Sequence, residues 1–306
     1  MKTSFITILA AALTLSTAGA VSAKHFSAWG AAQKIDEIGG NSSELNTTAL
    51  DGCPIESPDG LSLYLASNRP GGHGLLDIWV ATRPSKDAPW GAPENLPAPI
   101  NSAADDFCPT PVRGKGLFFV SRRVTAGVTC GQGDIYFTRR NPAHGWSDPE
   151  HLACAPAGPN SELDEQGPSR VEIDGKELLF FSRSSAAPAV PGDIFVSEKL
   201  ADGYGPAAAV ASLNDPTAND IQPNVRKDGL EVVFSSNRAG GAGTQDIWAA
   251  TRESTDDPWS APQNLGAAVN TGAAESRPSL SWHGDQLLFG RAPGSEGSSD
   301  IYVTTR

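Results

Sequence analysis

Five copies of one triplet constrain this chain more than any other feature of it. Asp-Ile-aromatic opens an alternating strand at Asp77-Ile78-Trp79, Asp134-Ile135-Tyr136, Asp193-Ile194-Phe195, Asp246-Ile247-Trp248 and Asp300-Ile301-Tyr302, at intervals of 57, 59, 53 and 54 residues. A period of that length holds four short strands with their turns. It describes a β-propeller blade rather than a helical repeat.

Each copy has the same order of parts. A proline-led strand runs into a turn such as Pro58-Asp59-Gly60, Asp174-Gly175 or Asp228-Gly229, which supplies the glycine of a tight hairpin. A strongly apolar strand follows, for example Leu63-Tyr64-Leu65 or Val232-Val233-Phe234, then a loop, the Asp-Ile-aromatic strand and an aromatic-led strand. The abundance of Gly (32) and Pro (24) suits these turns and disfavours helix interiors.

The aromatic-led strand predicts how the ring shuts. Trp90-Gly91, Trp146-Ser147, Tyr204-Gly205 and Trp259-Ser260 follow the first four triplets, but the sequence ends at Arg306 before a fifth can occur. Its counterpart is Trp29 to Ile35, which matches Trp259 to Leu265. The expected fold is therefore all-β: a five-bladed propeller of four-stranded blades, with the N-terminal strand completing the last blade and leaving no open edge. The expected blades are 46–100, 101–159, 160–213, 214–269, and 270–306 with 26–36. Six of the seven tryptophans occupy repeat positions and read as inter-blade packing, Trp282 being the exception.

Polar residues recur in register on one rim. An acid precedes the proline of each inner strand by three positions: Asp51, Asp106, Glu165, Asp220 and Glu275. An asparagine stands earlier in each loop, at Asn46, Asn101, Asn160, Asn214 and Asn270, and each second strand ends in an arginine, Arg69, Arg122, Arg183, Arg238 or Arg291. Such a rim is either a binding or catalytic mouth or a set of charge-assisted ties repeated in every blade. Full repetition favours the ties, because catalysis needs asymmetry. The departures from symmetry are His73, the extra basic residue Arg123, the long loop from Val124 to Gly133, and the doubled acids Asp105-Asp106 and Asp164-Glu165.

The four cysteines fall near the same rim: Cys53, Cys108, Cys130 and Cys154. Four cysteines allow three pairings, and no C-x-x-C pair suggests zinc. Cys53 and Cys108 precede equivalent prolines of neighbouring blades, which makes Cys53–Cys108 with Cys130–Cys154 the geometrically sensible set.

A basic start at Lys2, an apolar run from Phe5 to Ala20 and the small residues Val21-Ser22-Ala23 read as an export signal, giving a mature chain from Lys24 with no lipoprotein cysteine. The expected location is periplasmic or secreted. No later run is apolar enough to span a bilayer. The net charge of −12 argues against nucleic acid and anionic lipid as partners.

The strings Ser57-Pro58-Asp59-Gly60, Ser67-Asn68-Arg69-Pro70-Gly71-Gly72 and Asp77-Ile78-Trp79-Val80 resemble the repeat of the TolB-like (WD-like) bacterial propellers, closest to the type found in exported proteins with OmpA-type domains. The fourth copy carries it well, and the third and fifth depart from it in the glycine loop. The resemblance implies a monomeric envelope propeller that binds a protein or a cell-wall or glycan ligand through its rim. With no G-x-S-x-G, H-E-x-x-H or phosphate loop, the first expectation is a non-catalytic binding or scaffold module without cofactor or metal. The alternative is a carbohydrate-active enzyme using the rim carboxylates. That alternative needs an acid free of its arginine, with a raised pKa.

Overall fold

The computed structural model describes residues 26–114, 116–141, 143–186 and 189–306. The export-signal segment, 1–23, lies outside the described residues.

Five antiparallel sheets form the five blades. Blade one is Asp51–Glu56, Ser62–Ser67, Asp77–Thr82 and Glu94–Asn95. Blade two is Asp106–Val112, Gly116–Ser121, Asp134–Asn141 and Glu150–His151, with Gly145–Trp146 added on the third strand. Blade three has longer strands, Asp164–Ile173, Lys176–Ala186 and Ala189–Leu200, with Gly203–Tyr204 and Ala208–Ala209 outermost. Blade four is Asp220–Val225, Glu231–Ser236, Asp246–Thr251 and Gln263–Asn264. Blade five is Ala274–Leu280, Gln286–Ala292 and Asp300–Thr305, completed by Gln33–Lys34.

The closing strand sits where the sequence places it, with Gln33 opposite Val303 and Lys34 opposite Tyr302. Gly30 N–H donates to Thr305 O at 2.8 Å, and Thr304 Oγ1 donates to Gly30 O at 2.6 Å. The Arg306 guanidinium lies 4.2 Å from the Trp29 ring centroid, as Arg83 lies over Trp90 (4.0 Å) and Arg252 over Trp259 (4.3 Å). One arginine-on-tryptophan contact therefore repeats through the ring closure.

The middle of each second strand is packed between neighbouring blades and carries consecutive apolar residues, such as Leu117 to Val120 and Val232 to Phe234, rather than an alternating pattern. Leu65, Phe119, Phe181, Phe234 and Phe289 occupy equivalent positions and are fully buried. Cys53–Cys108 and Cys130–Cys154 are both disulfide-bonded. Two disulfides fit an oxidising compartment outside the cytoplasm. Among the described residues no helix is long and apolar enough to cross a membrane.

Candidate functional site at the axial mouth

The rim carboxylates face their arginines in all five blades. Arg69 Nη2 reaches Asp51 at 2.6 Å, Arg238 Nη2 reaches Asp220 at 2.5 Å, Arg183 Nε reaches Glu165 at 2.8 Å and Arg291 Nε reaches Glu275 at 2.7 Å. All five carboxylates are completely buried, and each also accepts from the backbone of its own loop, as Asp51 does from Thr47 N–H at 2.6 Å. These carboxylates are committed to holding loops. Burial pushes Glu165 up, to about 7, against the pull of Ser161 and Arg183.

Blade two corrects the sequence register. Arg123, not Arg122, is the blade arginine: it contacts Ser121 Oγ (2.7 Å), Pro99 O (3.0 Å) and Asp106 (2.7 Å), the same partner types that Arg69 and Arg238 have. Arg122 is the extra cation. It bridges Asp105 (3.1 Å) and Asp164 (2.8 Å) across blades two and three, with its side chain 40% exposed. Gln166 Nε2 donates to the same Asp164 oxygen at 2.8 Å, and Gln222 Nε2 donates to Gln166 Oε1 at 3.2 Å. A polar chain thus crosses the mouth from blade two to blade four.

The rim asparagines clasp neighbouring blades. Asn101 accepts from Ile78 N–H and donates to Ile78 O, both at 2.9 Å, and Asn160, Asn214, Asn270 and Asn46 treat Ile135, Ile194, Ile247 and Ile301 alike. His73 is exposed and meets Asp77 through its backbone N–H. His151, which the sequence reading passed over, takes the place of Asn95 and Asn264 and contacts Asp134 at 2.9 Å. It also stands 3.7 Å from Cys130 Sγ, but Cys130 and Cys154 are joined and offer no thiolate to a metal.

At the axis every inner strand carries a bulge immediately before its proline, with shifts of register at Gly52/Ile55, Phe107/Thr110, Gln166/Ser169, Ile221/Asn224 and Ser276/Ser279. Proline cannot donate to the ladder, so the bulge accommodates it. The residue before it takes positive φ in each blade: Cys53 (48°), Cys108 (47°), Gly167 (58°), Gln222 (56°) and Arg277 (58°). All five line a small axial cavity of about 30 Å³. Blades one and two close their part with the Cys53–Cys108 disulfide, while blade five contributes a guanidinium.

The third strand's first residue breaks symmetry in blade three. Asp77, Asp134, Asp246 and Asp300 accept loop N–H groups, for example Gly74 N–H on Asp77 at 3.1 Å and Gly243 N–H on Asp246 at 2.9 Å. In blade three the strands continue past the rim, pairing Ser185 with Val190 and Ala186 with Ala189, so among the described residues no loop amide meets Asp193. Asp193 consequently has no hydrogen bond or ion pair among the described residues. Burial raises its pKa, and the neighbouring Asp220 carboxylate raises it further.

No protein-family model matches this chain, and no curated protein matches it in sequence. Solved structures do match in fold. A thermostable family-43 glycoside hydrolase superposes with a TM-score of 0.55 at 13% identity, covering 88% of this chain and 90% of its own. The α-L-arabinofuranosidase of Podospora anserina, in complex with cellotriose, gives 0.54 at 13% identity over 91% and 96%. The endo-arabinase of Bacteroides thetaiotaomicron gives 0.51 at 16% identity over 85% and 98%. Likeness at this identity establishes the five-bladed fold. The expectation of a non-catalytic binding or scaffold module is corrected by these likenesses, since the three structures named are a glycoside hydrolase, an α-L-arabinofuranosidase and an endo-arabinase, which favours the carbohydrate-active alternative.

Proposed function

We propose that this chain is a carbohydrate-active propeller of the glycoside-hydrolase type, acting on a glycan held at the acid-bearing mouth, with Asp193 as its proton donor. The five rim carboxylates are not the reacting groups, since each is occupied by an arginine and its own loop. Asp193 carries the reading: among the described residues it alone of the five equivalent aspartates lacks loop partners, and its pKa is raised.

The chemistry follows from the neighbourhood. Glycosidic cleavage needs a carboxylic acid that keeps its proton until it meets the leaving oxygen, and a second carboxylate of different environment. Burial and the negative charge of Asp220, which Arg238 fixes at 2.5 Å, both raise the Asp193 pKa and so favour its protonated form. The fold of the family-43 hydrolase and the arabinan-degrading enzymes supports the substrate class. Two disulfides support a site of action outside the cytoplasm, periplasmic or secreted, where polymeric glycans are met.

The test is hydrolysis of arabinan and a panel of aryl glycosides by the mature protein. Asp193→Asn should lower kcat by 100-fold or more while leaving the melting temperature unchanged, because the carboxylate makes no structural bond. Equal turnover by the variant overturns the assignment.

A further inference from the structure

The axial mouth contains a cation with no counterion. Arg277 projects from the blade-five bulge, its backbone fixed by Ser235 Oγ, which accepts its N–H at 3.0 Å. Its guanidinium makes no hydrogen bond or ion pair among the described residues, whereas the five blade arginines each hold a carboxylate. Space has been left for it. A Cβ on Gly52 would stand 2.9 Å from Arg277 Nη1, so any larger residue there would displace the guanidinium.

The surroundings are polar but do not neutralise it. Gln222 from blade four lines the same axial cavity, and its Oε1 is buried without a partner among the described residues. Burial lowers the Arg277 pKa to about 10, with a further lowering from Arg122, so the group remains charged at neutral pH. A desolvated guanidinium facing a like charge gains most from a planar anion that accepts its forked N–H groups. In a chain of net charge −12 such an unanswered cation is out of keeping with a solvated surface.

We infer that Arg277 is a specificity residue that binds a sugar carboxylate at the axial mouth, so that the glycan taken by this propeller is an acidic one bearing uronic acid units. This rests on the proposed glycan site and names its substrate class. The carboxylate accepts from Arg277, and Gln222 orients the neighbouring hydroxyls. No covalent step is required of either residue.

The experiment is calorimetric titration of the mature full-length chain with oligogalacturonate and with neutral arabino-oligosaccharides of equal length, repeated with galacturonate alone and with inorganic phosphate. The acidic oligosaccharide should bind at least 10-fold tighter than the neutral one at low salt. Arg277→Gln should remove that preference while leaving affinity for the neutral sugar within about 2-fold, and Arg277→Lys should keep part of it. Glutamine already occupies the equivalent positive-φ position as Gln222, so the variant is expected to fold, and its melting curve checks this. Equal affinity for acidic and neutral sugars, or a preference that survives Arg277→Gln, overturns the inference. Phosphate binding as tight as galacturonate would also overturn it, as the mark of an unspecific anion site. Selective acidic binding without hydrolysis would sink the enzymatic reading and leave this one standing; hydrolysis of neutral glycans with no charge preference would do the reverse.

Discussion

Glu165 and Arg183 stand directly opposite each other across adjacent strands, whereas Asp51 is reached by Arg69, two residues beyond the residue that faces it. Blades one, two and four pair the shorter aspartate with the farther arginine, and a serine takes the facing position: Ser67, Ser121 or Ser236. Blades three and five pair the longer glutamate with an arginine in the facing position, Arg183 or Arg291. Side-chain length and register compensate, and the carboxylate is covered in every case.

Arg183→Ala should therefore cost about 3–5 kcal/mol at pH 8, where the buried Glu165 must either stay charged without its partner or take up a proton against the pH. The loss should shrink at pH 5, because the carboxyl can then take a proton. Replacing both partners, Glu165→Gln with Arg183→Met, should recover most of the stability in urea denaturation. A single variant no less stable than wild type would show the pair to be dispensable.

The pH dependence has a definite sign. Folding raises the Glu165 pKa from 4.5 to about 7, so the folded chain binds more protons between those values. Its contribution is complete below about pH 4.5 and is lost as the pH rises to about 7. Glu165→Gln should flatten this part of the stability curve measured by chemical denaturation from pH 4 to pH 8.

Asn46 is the clasp at the ring closure, accepting from Ile301 N–H at 2.6 Å and donating to Ile301 O at 3.2 Å. Asn46→Ala strands a buried backbone donor and acceptor and should cost about 2–3 kcal/mol. Hydrogen exchange should rise in Asp300–Thr305 before any other third strand. Uniform loosening of all blades would argue against a local clasp.

The disulfides span different lengths of chain, 55 residues for Cys53–Cys108 and 24 for Cys130–Cys154. Loop-closure entropy assigns about 4 kcal/mol to the first and about 3 kcal/mol to the second. Paired Cys→Ser variants compared by thermal unfolding should rank in that order. The Cys53–Cys108 variant should also open the axial cavity that its sulfurs border.

The ring was legible because propeller blades repeat their turns and aromatics, and because Trp29 to Ile35 copied a strand missing elsewhere. The cysteine pairs followed from equivalent prolines. Arg122 and Arg123 were not separable, since two adjacent arginines differ only in which one reaches Asp106 once the strands pair. The axial bulges were hidden for another reason: positive φ before proline leaves no mark on residue type, as Cys53, Gly167, Gln222 and Arg277 show by having nothing else in common. Asp193 reads in sequence like its four counterparts. Only the continuation of the strands Lys176–Ala186 and Ala189–Leu200 past the rim strips away its partners, and the irregular third copy was the faint sign of it.

Among the described residues the strand Gln33–Lys34 pairs with Asp300–Thr305, so an early-made strand of the propeller must wait for one made about 270 residues later. Until Asp300–Thr305 has been made, Gln33–Lys34 has no strand to pair with and the circle cannot lock. Order of synthesis, and not stability alone, therefore sets when the ring can close.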